Sequence, residues 1–238
     1  MGDSKKLPAQ AADAEVDAFL KRVAAIPAPR PEGGRGRLMF AIDATASREP
    51  TWDTACHLQG QMFEETVALG GLEVQLVFSR GFGECRTSNW VSDSEALVRR
   101  MTRVRCVGGH TQIGKVLGHA IKETRKKKVN AVIFVGDCVE EDVDHLCHRA
   151  GELGLLGVPL FIFHEGAEPV AAGAFKQMAR LSNGAYCPFD MGSAAQLRDL
   201  LSAVAVYAAG GRKALEDYDK RTGGAVAQIT RQVKLGGR

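Results

Sequence analysis

A chain of 238 residues with an apolar share of 45% can bury one large core, alone or with appendages. Lys and Arg number 31 against 28 acidic residues, and a net charge of +3 supplies no basic footprint of the kind a nucleic-acid binder carries. No apolar run approaches the ~18 residues of a membrane helix, and MGDSKKLPAQ has no apolar h-region, so neither a span nor a secretory leader is expected.

The six cysteines (Cys56, Cys85, Cys106, Cys138, Cys147 and Cys187) contain no C-x-x-C pair and read as reduced thiols of a cytoplasmic protein. Cys138, His145, Cys147 and His148 form the densest cluster of soft ligands. Most of it falls on one helix, where residues 147 and 148 point in different directions, so zinc is not expected there.

Residues 1–36 read as an appendage. Val16, Phe19, Leu20, Val23 and Ile26 share one helical face, and PAPRPEGGRGR then interrupts the helix with Pro and Gly. From Arg37 strands and helices alternate. RLMFAI is an apolar strand; residues 50–69 form a helix with Trp52, Cys56, Gln59, Met62, Phe63 and Val67 near one face. LEVQLVFS is the second strand, and GFGECRTSNW a turn with a short antiparallel edge strand. SDSEALVRRMTRV is a helix capped by Ser92 or Asp93. After the GGHT loop, QIGKVLGHAIKETRKKK carries Ile113, Val116, Leu117, Ala120 and Ile121 inward. NAVIFVGD, GVPLFIFHE and GAYCPFD are the remaining strands, each followed by a helix.

Apolar strands without polar alternation belong to a sheet covered on both faces. Their alternation with helices implies right-handed crossovers. The expected fold is α/β and doubly wound, with helices on both faces. Its sheet is six-stranded and mostly parallel, with one antiparallel edge strand. The expected organisation is a globular domain over 37–209, flanked by the N-terminal segment 1–36 and an extension over 210–238. In that extension RKALEDYDKRT prolongs or follows the last helix, and AVAQITRQV is left as a strand or an amphipathic tail.

Ligands of such sheets bind beyond the carboxyl ends of the strands, where strand order reverses. Three loops fall there. Asp43-Ala44-Thr45-Ala46-Ser47 follows the first strand, Gly108-Gly109-His110-Thr111 precedes a helix, and Gly136-Asp137 ends the strand NAVIFV. Carboxylates and hydroxyls are hard oxygen donors that suit Mg2+ or Mn2+ rather than zinc. Taken singly, Asp43 also fits a turn or helix cap, Thr111 a helix N-cap, and Asp137 a cap of the helix that begins near Glu140.

This arrangement resembles the von Willebrand factor type A (VWA) family, whose metal-ion-dependent adhesion site (MIDAS) combines a D-x-S-x-S loop, a later Thr, and an Asp after the fourth strand. Asp43, Thr45 and Ser47 match the first motif, Thr111 the second, and Asp137 the third. The resemblance covers roughly residues 37–209 and is to bacterial cytosolic-type members. Thr45 replaces the usual first Ser and keeps the hydroxyl. Gly136-Asp137-Cys138 stands where many members have T-D-G, which alters the turn after the Asp. The resemblance implies a Mg2+ or Mn2+ held by these hydroxyls, with the aspartates ligating directly or through water. It also implies an open position for a partner's Asp or Glu.

Other classes compete for parts of the chain. Gly109 to Val116 approaches the nucleotide-binding pattern G-x-x-x-x-G-K-[ST], but Val116 lacks the hydroxyl that should hold Mg2+. A dehalogenase-like phosphatase would require a second Asp two residues after Asp43, where Thr45 stands, so its general acid is missing. Arg125 to Lys128 reads as a solvated helix end that suits the helix dipole; because some VWA members bind RNA, an RNA-binding module is kept as an alternative. The expectation is a binding module and not an enzyme, recognising a protein partner through an acidic residue, with neither membrane nor nucleic acid as its partner.

Overall fold

The computed structural model describes residues 34–46, 49–189 and 194–222. The N-terminal helix expected before residue 34 and the tail after residue 222 lie outside them. No helix among the described residues is long and apolar enough to cross a membrane.

Six strands form one sheet: β1 (Gly36–Asp43), β2 (Leu72–Arg80), β3 (Glu84–Thr87), β4 (Ala131–Gly136), β5 (Leu160–Glu165) and β6 (Ala185–Phe189), in the order β3-β2-β1-β4-β5-β6. β3 is antiparallel to β2 at the edge and every other pairing is parallel. The mostly parallel sheet with one antiparallel edge strand is therefore as expected. The chain winds outward from β1 to β2 and later returns to β4 on the other side. The strand order thus reverses between β1 and β4, where a doubly wound sheet opens its crevice.

Every residue of β1 is buried, because alternate side chains enter two separate cores. Leu38, Phe40 and Ile42 pack with α1 (Glu49–Leu58), α2 (Gly60–Glu64), α3 (Ser94–Met101) and α7 (Ala194–Thr222). Met39 and Ala41 pack with α4 (Ile113–Lys126), α5 (Val143–Leu155) and α6 (Pro169–Leu181). This double coverage is what the unbroken apolar strands encode. The inward face expected for α4 is borne out, with Ile113, Val116, Leu117 and Ala120 at most 1% exposed.

The helix expected over 50–69 is broken instead into α1, α2 and a 3-10 turn at Val67–Leu69. The Thr66 hydroxyl donates back to the Met62 and Phe63 carbonyls, a competition with the helix ladder that ends it. The changed phase leaves Val67 72% exposed rather than on the buried face. Trp52 keeps its place, its indole N–H donating to the Met101 carbonyl at 3.1 Å and fixing α1 to α3. Asp93 is the N-cap of α3, accepting from the Ala96 N–H at 2.7 Å. α7 continues to Thr222 past a kink at Gly211.

Candidate metal site

β1 ends at Asp43, which pairs in register with Ser79 of β2 and is fully buried. On the other side Ile42 pairs with Val135, so Asp43 and Gly136 are the next residues along neighbouring strands. Asp137 follows directly, half-buried. Parallel neighbours lie ~4.8 Å apart, so two carboxylates open from the same stretch of sheet edge. The Ala44 N–H donates to the Ser79 carbonyl at 2.8 Å, which carries the β1 loop straight off the sheet. Thr45 lies beneath this loop, 8% exposed, and its hydroxyl donates to Asp43 Oδ2 at 3.1 Å. A hydroxyl that donates keeps its lone pairs, so Thr45 remains able to ligate. Ser47 and Arg48 lie outside the described residues.

The second loop is laced to the first. The Val107 N–H donates to the Ala44 carbonyl at 3.0 Å, and the His110 N–H to the Gly81 carbonyl at 3.2 Å. Gly109 is required by close approach, since a Cβ there would stand 2.1 Å from the Gly81 carbonyl oxygen. Thr111, 3% exposed, is clasped by Glu140 in the loop after β4. Its N–H donates to Glu140 Oε2 at 2.8 Å, and its hydroxyl oxygen accepts from the Glu140 N–H at 3.3 Å. Glu140 Oε1 lies 2.9 Å from His110 Nδ1. The His110 ring, and then the Thr111 N–H, hold this carboxyl below the usual range.

Thr111 is therefore not the N-cap that its sequence position allowed. That position is Gln112, whose side chain makes no cap bond. The first amides of α4 are satisfied from another loop: Glu141 accepts from Ile113 N–H and from Gly114 N–H, the latter at 3.0 Å. Nor does Asp137 cap α5, which starts at Val143 with Asp142 accepting from the His145 N–H at 2.7 Å. Other acids take the capping roles instead, Glu141 at the start of α4 and Asp142 at the start of α5.

Behind Asp137 the fold adds support. His164, fully buried at the end of β5, donates from Nε2 to the Asp137 carbonyl at 3.1 Å and so accepts the Tyr186 hydroxyl proton at Nδ1, 2.8 Å away. Glu165, one residue on, is 4% exposed and accepts from the Thr51 hydroxyl of α1. Cys138 carries the electrostatic signature of the site: burial, then the Asp137 charge and hydrogen bond, with Glu140 and Asp43 further out, push its thiol up to about 12. The thiol therefore stays protonated beside three carboxylates that act on it.

The structure thus places Asp43, Thr45 and Asp137 at the carboxyl ends of the neighbouring strands β1 and β4, and ties Thr111 through Glu140 to the loop after β4. Glu140, Glu141, His164 and Glu165 were missed by sequence reasoning. The acidic end of GVPLFIFHE was a legible signal for Glu165, because it stands at the same height on the next strand. Glu140 and Glu141 gave none, since their bonds cross 29 and 27 residues of sequence.

The competing motifs resolve differently. Gly109 to Val116 follows a helix rather than a strand. The α4 amides that a phosphate would take already hold Glu141, and Lys115 Nζ is bound to the Gly83 carbonyl at 2.7 Å and Gln112 Oε1 at 2.8 Å. Cys147 is buried in the core while His148 is exposed. His145 Nε2 instead receives Arg149 Nε at 2.9 Å, so that cluster does not converge. Among the described residues no group of three His, Cys, Asp or Glu side chains is gathered for a metal, so any ion here relies on the threonine hydroxyls. The cations at the end of α4 are engaged within the domain: Arg125 with Glu152, Lys126 with Glu123, Lys127 with Glu73, and Lys128 on the Leu156 and Gly157 carbonyls.

This geometry is that of a VWA-like fold, and solved structures bear out the architecture. The chain is similar to the VWA domain of SpRpn10, with 16% identity and a TM-score of 0.54 over 72% of this chain and 94% of that one. The vWF domain of the type V pili tip protein Mfa5 from Porphyromonas gingivalis has 11% identity and a TM-score of 0.55, over 76% and 96%. Proximal thread matrix protein 1 from the mussel byssus, with a zinc-occupied MIDAS motif, has 14% identity and a TM-score of 0.51, over 72% of this chain and 46% of that one. At these identities the likeness is one of fold. No protein-family model matches the chain. No curated protein matches it in sequence.

Proposed function

We propose that this chain is a divalent-metal-dependent protein-binding module. Asp43, Thr45, Ser47, Thr111 and Asp137 would hold Mg2+ or Mn2+, and a carboxylate of a protein partner would complete the coordination. The observation that supports this reading is the placement of Asp43 and Asp137 at the ends of neighbouring strands where the strand order reverses, with the Thr45 hydroxyl on Asp43 and Thr111 tied through Glu140 to the loop after Asp137. The donor chemistry fits the ion: hydroxyl and carboxylate oxygens are hard ligands. When bound, the ion would supply a positive centre for an anionic group. Neutral hydroxyls quench its charge less than carboxylates would, which leaves it attractive to an external acid.

The chain's own residues do the rest. Glu140 fixes Thr111 through its N–H and its hydroxyl. His164 holds the backbone of Asp137. A protein of this fold, the mussel byssus protein, holds zinc at a motif of this kind, which makes a divalent ion a reasonable occupant here. We read the site as one for binding rather than catalysis, because Thr45 stands where a phosphatase of similar strand order would carry its general acid.

Calorimetric titration of Mg2+ and Mn2+ tests this. The wild type should give a saturable heat that Thr111→Ala weakens by about tenfold or more and Asp43→Ala abolishes. Equal heats from wild type and both variants would remove the site.

A further inference from the structure

The β2–β3 turn, Gly81-Phe82-Gly83, exposes a large aromatic side chain beside the candidate metal loops. Phe82 is 85% exposed, yet the turn beneath it is not loose. Lys115 Nζ binds the Gly83 carbonyl at 2.7 Å. The Gln112 amide donates to the Arg80 and Glu84 carbonyls at 3.3 and 3.2 Å. Arg80 and Glu84 close the turn with an ion pair at 3.0 Å. Gly81 and Gly83 both take positive φ, 57° and 133°, a backbone that ordinary side chains resist. These fastenings hold Phe82 outward, its ring edge-on to His110 with centroids 5.2 Å apart. His110 directly precedes Thr111. Val107, 46% exposed, hangs from the Ala44 carbonyl on the same loops. The charges tied to this turn favour cations: Arg80, Arg86 and Lys115 against Glu84, with Glu140 on His110.

We propose that Phe82, with Val107, is the apolar anchor of the partner-binding face, and that the partner segment carries an acidic residue close to an apolar one. The proposal rests on the metal-site reading and adds what that reading leaves undetermined, the character of the partner's neighbouring side chain. An aromatic side chain held in place before binding loses little freedom on binding, and interface cores are enriched in such residues. The basic collar complements an acidic segment and speeds its encounter.

The test uses labelled short peptides with one central Asp and a Leu or Phe placed at varied distance from it. Controls replace the Asp by Asn or the apolar residue by Ser. Binding is read by fluorescence anisotropy with Mg2+ and again with EDTA. Peptides carrying both groups should bind above either control. Phe82→Ala should weaken them by at least about tenfold while Phe82→Leu retains most of the affinity. Mg2+ titration of Phe82→Ala without peptide should match wild type and so checks the metal site separately. Binding by Phe82→Ala equal to wild type, or no peptide binding above its Asn and Ser controls, would overturn the proposal. Peptide binding that EDTA leaves intact but Phe82→Ala abolishes would keep the anchor and sink the metal reading.

Discussion

The two ends of β1 carry buried polar clusters of opposite design. At the amino end Arg37 is 5% exposed and lies among partners. Its guanidinium lies 3.4 Å from Glu73 and 3.8 Å from Glu123, stacks 3.8 Å from the Trp90 ring centroid, and donates to the Lys127 carbonyl at 2.5 Å. Trp90 Nε1 in turn donates to Glu123 at 3.1 Å, and the Arg37 N–H to Asn130 Oδ1 at 2.8 Å. Cation, carboxylates and aromatic face together close a network. At the carboxyl end the segments 43–46, 108–111 and 136–138 bring carboxylates and hydroxyls. One end supplies its own counter-charge. The other sets two carboxylates, Asp43 and Asp137, at the ends of neighbouring strands, where we propose that a metal ion is held. A buried polar group is thus not a functional signal by itself; the balance of charge around it is what separates a strut from a binding site.

That contrast is broken most forcefully at Arg37. Arg37→Met leaves the buried Glu123 and the partly buried Glu73 beside an apolar side chain, each with one lysine still paired to it. Removing one partner of a buried pair costs about 3–5 kcal/mol, and since Glu73 is about a quarter exposed the lower end, about 3 kcal/mol, is expected. For a domain of this size that is a fall of about 6–12 °C in melting temperature. The loss should be the same with Mg2+ or EDTA. A variant as stable as wild type would mean that the amino-end network is no strut.

At the other end the sign reverses. Asp43→Asn keeps an oxygen for the Thr45 hydroxyl and removes one of two neighbouring charges. In EDTA the variant should therefore be as stable as wild type or more so, by up to about 1 kcal/mol, as happens where a site is held against its own stability. Saturating Mg2+ should then stabilise wild type by about 3 kcal/mol at a hundredfold excess over the dissociation constant, and leave Asp43→Asn unmoved. Melting in denaturant with and without the ion checks both halves. A loss of several kcal/mol in EDTA would make Asp43 a structural residue like Arg37.

The sequence was read most reliably where the signal is local. Unbroken apolar strands announced the two-faced sheet because each β1 side chain enters one of two cores. Asp43, Thr111 and Asp137 stand out as candidates in the sequence because each lies in a loop next to a readable strand or helix. What escaped was non-local. Whether Thr111 caps a helix depends on Glu140 and Glu141, and whether Arg37 is a surface charge depends on Trp90 and Glu123, all far away in sequence. The break in the 50–69 helix was missed because Thr66 fits a helical pattern until its hydroxyl bonds backward. Phe82 was passed over because a single aromatic residue between two glycines reads as a turn; only its exposure and the bonds beneath it single it out.

Glu140 offers the finest test of the contrast, because it touches the carboxyl-end site without being a ligand. Glu140→Gln retains an oxygen for the Thr111 N–H and its own backbone bond to the Thr111 hydroxyl, but loses the charge that faces His110. The side chain is 40% exposed, so the fold should barely register the change, with a melting temperature within about a degree or two of wild type. Metal affinity should respond more, since groups that orient a ligand commonly account for tenfold or more in affinity. Small change in stability with a clear loss of Mg2+ affinity is the behaviour of a positioning residue. If the melting temperature falls as far as in Arg37→Met, Glu140 belongs with the structural network, and the division between the two ends of β1 fails at the loop that joins Thr111 to Asp137.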